Sequence, residues 1–168
     1  VISARGIKSW LVEDHANPII TVDFAFHGGA ALDPRGKEGL ANLVSSLLDE
    51  GAGTLDSKAF QTQLEDFSIS LSFNAERDNF SGSLRTLTRN YLRAFHLLKL
   101  ALTKPRFDRE AVERIRNQIL MDLKSDEEIP DRVASRVLFK TLFPNHPYGN
   151  PVSGTSDSVT AIRRADLH

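Results

Sequence analysis

Cysteine is absent from the 168 residues, which removes disulfides and thiolate metal sites from consideration. That absence is compatible with a reducing or an oxidising compartment. No apolar run approaches the roughly 20 residues that a membrane helix needs. No charged-then-apolar leader opens the chain. The first residue is Val1 rather than Met, so a leader could have been removed. An excess of one charge is also missing. The formal net charge is -1, which gives no bulk attraction to nucleic acid or to an anionic membrane. The basic residues are scattered. The densest group, Arg109, Arg114 and Arg116, is interleaved with Glu110 and Glu113 and reads as a solvated helix face.

Three kinds of catalytic or binding motif are missing as well. A phosphate-cradling loop in the glycine-rich stretch from His27 to Glu38 would need a glycine five residues before Gly36 and a Ser or Thr after Lys37. Those positions hold Ala31 and Glu38. The five histidines (His15, His27, His96, His146 and His168) include no pair three to five residues apart, so no helix presents a ligand pair. No serine lies in a G-x-S-x-G context.

What is present is an ordinary globular composition, 40% apolar and 26% charged, at a length that suits one domain or a large piece of one. Ile7–Val12 is short and apolar and reads as a strand. Ile20, Val22, Phe24 and Phe26 alternate with Thr21, Asp23 and Ala25, the period of a half-buried strand. A turn-rich loop runs from His27 to Gly39. Helices are expected from Leu40 to Glu50, closed by Gly51 and Gly53, and from Ser57, as N-cap, to Phe67. The clearest hairpin follows, with arms over 68–75 and 80–85 around the turn Glu76-Arg77-Asp78-Asn79. Helical spacing then covers Asn90–Leu102, a helix from an Asp108 cap to Ser125, and Asp131–Phe143. A loop from Pro144 to Ser158 and a last helical start at Val159–Arg163 complete the chain. Strands, helices, a hairpin and further helices in this order argue for an α+β domain with helices packed on one face of an antiparallel sheet. The abrupt end reads as a domain cut before its completion.

The helix from Leu40 has two unlike sides. Leu40, Leu43, Val44, Leu47 and Leu48 form the apolar one, and Asn42, Ser45, Ser46 and Asp49 share the other. By spacing alone, the polar side meets solvent.

The stretch from Gly39 to Thr54, with its leading glycine, Leu40-Ala41 pair and closing Gly53-Thr54, resembles the zinc helix of the pitrilysin/insulinase peptidases. The preceding Phe26–Gly36 segment, with Gly28-Gly29 and Asp33-Pro34, is similar to that family's strand and glycine loop. Phe107-Asp108 opens a helix similar to its glutamate-bearing helix. Phe143–Gly149 and Pro151–Gly154 resemble its His-Pro-Tyr-Gly loop and the following Pro-x-x-Gly. The pieces occur in the right order and cover nearly the whole chain.

The resemblance implies the processing-peptidase-like metallohydrolase fold, with residues 1–168 as most of an N-terminal domain. It also exposes departures. Active members carry the inverted motif H-x-x-E-H, two zinc-binding imidazoles and a glutamate base. The corresponding positions here hold Asn42, Ser45 and Ser46, and the third ligand position holds Asp122. Amide and hydroxyl are poor zinc ligands, and serine is no general base near neutral pH. The expectation is therefore a non-catalytic subunit with no catalytic, cofactor or metal residues of its own. It would hold peptide substrate for an active, zinc-bearing homologue in a heterodimer, or pair as a homodimer. By family analogy its setting is periplasmic or secreted, with a cytoplasmic one still compatible. Two other readings stay open: an active zinc endopeptidase using other ligands, and a purely structural subunit like the peptidase-related core of the respiratory bc1 complex.

Overall fold

The computed structural model describes residue 6 and residues 8–167. The architecture is α+β. Three antiparallel strands, β1 (Ile19–His27), β2 (Ser70–Ala75) and β3 (Asn79–Leu87), lie in the order β1-β3-β2. The helices are α1 (Leu40–Ser45), α2 (Ser57–Asp66), α3 (Tyr91–Thr103), α4 (Arg109–Asp126), α5 (Pro130–Leu142) and α6 (Ser156–Ala161). The register sets Val22 and Leu71 on either side of Leu84, and Phe24 and Phe73 on either side of Gly82. The alternation seen in the sequence is thus the sheet's two faces. Leu71, Leu84 and Thr86 are buried, whereas Ser70, Ser72, Asn74 and Arg85 are exposed.

Two apolar clusters result. One joins the sheet to α2 and α3 through Phe60, Leu64, Leu71, Leu84, Leu97 and Ala101. The other joins α1, α4 and α6 through Leu43, Leu47, Val112, Ile119, Val159 and Ile162. Phe73 and Leu102 pack against both clusters and connect them. The site described below lies between α1 and α4, over the second cluster.

Several boundaries depart from expectation, each for a local reason. Ile7, where the first expected strand begins, lies outside the described residues. Residues 9–12 form no strand, and Trp10, Leu11 and Val12 are exposed. Three consecutive apolar residues do not make a period of two. Helix α1 ends at Ser45, not Glu50, and continues as turns. The N-cap of α2 is Asp56, whose carboxylate accepts from Ala59 N at 2.8 Å. Ser57 instead donates its hydroxyl to Glu50. Asp108 stands at the head of α4 without capping it, because its carboxylate is held by Arg106 Nε at 2.6 Å. Helix α6 begins three residues earlier than expected, where Thr155 and Ser158 form a reciprocal capping box.

The arginine group expected to be solvated also divides. Arg109 and Arg114 face solvent, but Arg116 is only 8% exposed. It lies four residues after Val112 and three before Ile119, within the stripe that α4 buries.

Candidate functional site

Helix α1 is entered from a glycine at φ +95°, Gly39, and is capped from a distance. The Asp33 carboxylate accepts from Gly39 N at 2.8 Å and from Ala41 N at 3.0 Å. Burial raises the Asp33 pKa, and these backbone N–H groups oppose that rise. The Asp33 side chain thus takes over the capping role that Gly39 cannot perform.

Gly39 and Gly154 let two backbones touch. A Cβ on Gly39 would lie 2.7 Å from the Ser153 carbonyl oxygen, and one on Gly154, itself at φ +76°, would lie 2.1 Å from that of Glu38. The Ser158 hydroxyl donates to the same Glu38 carbonyl at 2.7 Å. The leading glycine of the helix and the glycine of Pro-x-x-Gly are therefore two halves of one contact, and the contact carries Ser153 to the mouth of the site.

The site is a cleft of about 310 Å³ between α1 and α4. Asn42 and Ser46 line it from α1, Gln118, Asp122 and Asp126 from α4, and Ser153 from the loop, over Ile115, Ile119 and Leu123. Three of the four singled-out residues, Asn42, Ser46 and Asp122, thus meet there. Ser45 does not line the cleft. It is buried, 5% exposed, with its hydroxyl donating to the Asn42 carbonyl at 2.8 Å. The Ser46 hydroxyl donates to the same oxygen at 3.1 Å, alongside the Ser46 N–H at 3.2 Å. Three donors converge on one carbonyl, and the helix ends there. The next amide, Leu47 N–H, turns to the Val44 carbonyl at 2.9 Å instead of that of Leu43. Asp49, expected on the same polar side, is half-buried beyond the helix end. Burial pushes its carboxyl above the usual value, with neighbouring Glu50 adding to the rise.

Zinc, the metal that the family resemblance implies, does not fit these donors. Asn42 offers a neutral amide. Ser45 and Ser46 spend their hydroxyl hydrogens on a backbone carbonyl. Asp122 and Asp126 bring the cleft its carboxylates, from one helix, and Asp126 faces Arg132 at 3.9 Å. Among the described residues no three His, Cys, Asp or Glu side chains converge as a metal site would require. Of the histidines, His15, His27, His96 and His146 stand exposed on separate segments, and His168 lies outside the described residues.

The loop 143–149 serves packing. His146 Nδ1 accepts from Tyr148 N at 3.2 Å, and the Tyr148 hydroxyl donates to Asp78 at 2.6 Å, which raises the phenol pKa. The loop is thereby pinned to the hairpin turn, where the Arg77 guanidinium lies 3.9 Å above the Phe139 ring. Three polar lining residues went unnoticed in the sequence, the first being Gln118, four residues before Asp122 on the same helix face. Asp126 stands four residues after Asp122 on the same helix face, a spacing that could have revealed it. Ser153 reaches the cleft only through the Gly39–Gly154 contact, which no local pattern announces.

The family model for insulinase, peptidase family M16, matches residues 9–156. The chain belongs to the insulinase family. Among curated relatives it is 32% identical over 155 residues to "Non-peptidase homolog YmxG" of Helicobacter pylori, covering 92% of this chain and 36% of that protein. It is 24% identical over 147 residues to a probable mitochondrial-processing peptidase subunit beta of Arabidopsis thaliana, covering 88% of this chain and 28% of the relative. Among solved structures it superposes on a peptidase M16 inactive domain from Pseudomonas fluorescens with a TM-score of 0.92 and 28% identity, over 99% of this chain and 41% of the other. The chain thus spans about a third of the length of the curated relatives it matches. In this insulinase-family domain, Gly39 and Gly154 make the close contact at the cleft mouth, and the His-Pro-Tyr-Gly loop docks on the hairpin turn.

Proposed function

We propose that this protein is a non-catalytic member of the insulinase family that acts beside an active, zinc-bearing homologue, helping to enclose and hold peptide substrate. The observation that carries the reading is the donor set of the α1–α4 cleft. Asn42 and Ser46, which the resemblance aligns with the two ligands of the inverted motif, line the cleft, Ser45 aligns with the base, and both serine hydroxyls are committed to the Asn42 carbonyl. A base must reach the proton it abstracts, and Ser45 is buried away from the cleft. The name of the Helicobacter pylori relative and the description of the Pseudomonas fluorescens domain as inactive support the absence of catalysis. The similarity to a processing-peptidase subunit supports work in a pair.

Metal analysis of full-length protein purified without added zinc tests the reading. The expected content is far below one equivalent. One tightly held zinc per chain, lost on Asp122→Ala, would instead place a metal in this cleft and overturn the reading.

A further inference from the structure

Arg116 is the one charged side chain among the described residues that is buried, at 8% exposure. Its guanidinium has five N–H donors. One nitrogen donates to the Val159 carbonyl, and Nε lies 3.6 Å from the half-exposed Glu113 carboxylate, beyond hydrogen-bond distance. A buried cation is costly unless its donors are met by acceptors and its charge by an anion. Here the protein supplies a single close acceptor, and a neutral one.

Arg116 also lines a second cleft, of about 510 Å³, between α4 and the end of α6 with the segment that follows it. Arg109, Arg116, Arg163 and Arg164 line it against one carboxylate, Glu113. Arg164 donates to the backbone carbonyls of Phe107 and Arg106 and to no acid. Arg109 and Arg163 are both exposed, and the nearest acid to Arg163 is Asp166, which accepts its backbone N–H at 2.7 Å and is also held by Lys37. Val112 and Ile162, each 2% exposed, supply the apolar part of the lining. Four like charges around one concavity repel each other, and an anion between them would relieve that repulsion.

We infer that this cleft is an oxyanion-binding site, taking a carboxylate or a phosphate group of a ligand through Arg116 and Arg163, with its stem against Val112 and Ile162. Guanidinium pairs with either anion through parallel N–H donors, so both sources share one chemistry. The site is separate from the α1–α4 cleft and shares no lining residue with it.

The test is a titration of the full chain followed through the arginine Nε–Hε resonances, with inorganic phosphate in one arm and glutarate in the other. The expected result is a saturable shift of the Arg116 and Arg163 signals in at least one arm, and the responding arm names the source. Arg163→Glu, at an exposed position, should weaken binding by roughly tenfold or more, the worth of one charge-assisted contact, and Arg109→Glu, also exposed, should weaken it less, through the altered field of the cleft alone. Arg85→Glu, on the open face of the sheet, should leave it unchanged. No saturable shift in either arm, or shifts that survive both charge reversals, would overturn the assignment.

Discussion

The chemistry of three side chains, Asn42, Ser45 and Ser46, separates this cleft from a zinc site. The Asn42 backbone carbonyl accepts from the Ser45 hydroxyl, the Ser46 hydroxyl and the Ser46 N–H, so both serine hydroxyls are spent on the helix backbone, while Asn42 and Ser46 line the cleft. Asn42→His and Ser46→His with Asp122→Glu should return zinc binding measurable by calorimetry, since all three positions line one cleft. Affinity should still fall about 10- to 100-fold short of an intact site, because no outer-shell partner orients the new imidazoles. Failure to bind zinc in a folded triple variant would show that the three positions do not converge as ligands. Asp49 gives a second prediction. Its pKa is raised in the folded protein by burial, so the charged form is the disfavoured one. The folded state then binds more protons than the unfolded chain between the ordinary value of 3.8 and the raised one, and stability falls as pH rises through that window. Asp49→Asn should stabilise the protein above the window and flatten the pH profile there, as read by urea unfolding at a series of pH values. Equal stability of the two proteins at pH values above the window would contradict the assignment.

Among the elements, the sequence was readable where one local rule acted alone. The alternation in Ile20–Phe26 and in 69–75 marked two strands because each has one face packed and one face open. The Val112/Ile119 stripe marked α4 for the same reason. Reading failed where backbone bonding departed from the side-chain pattern. Leu47 and Leu48 continue the apolar period of α1 and are buried, yet the helix stops at Ser45, because the Leu47 N–H bonds the Val44 carbonyl at 2.9 Å rather than that of Leu43. Arg116 was misjudged because charge pattern outweighed its place in the α4 stripe. The start of α6 was missed because Thr155 and Ser158 form a capping box with serine where the usual pattern has Glu or Gln. Thr155→Ala should therefore cost about 1 kcal/mol in chemical denaturation. It should also loosen the docking of Ser158 on Glu38, which holds Ser153 at the cleft. A variant as stable as the parent would remove the cap from the account.

At the scale of the molecule, the order of elements was enough to give the α+β class, and the glycine, Pro-x-x-Gly and His-Pro-Tyr-Gly pieces were enough to give the family. How those pieces meet was not legible, because the contacts are long-range. Gly39 touches Ser153, Glu38 receives Ser158, and Tyr148 reaches Asp78. The meeting of Asn42, Ser46 and Asp122 depends on the same long-range packing of α1 against α4. The account turns on whether the whole protein hydrolyses peptides by itself. The direct measurement is cleavage of an unfolded peptide by the full-length protein, alone and mixed with an insulinase-family homologue that keeps an intact H-x-x-E-H motif. The account predicts no cleavage by the protein alone, and cleavage by the mixture faster than by the homologue alone. Robust, chelator-sensitive cleavage by the pure protein would contradict its non-catalytic character, and a mixture no faster than the homologue alone would contradict its role as that homologue's partner.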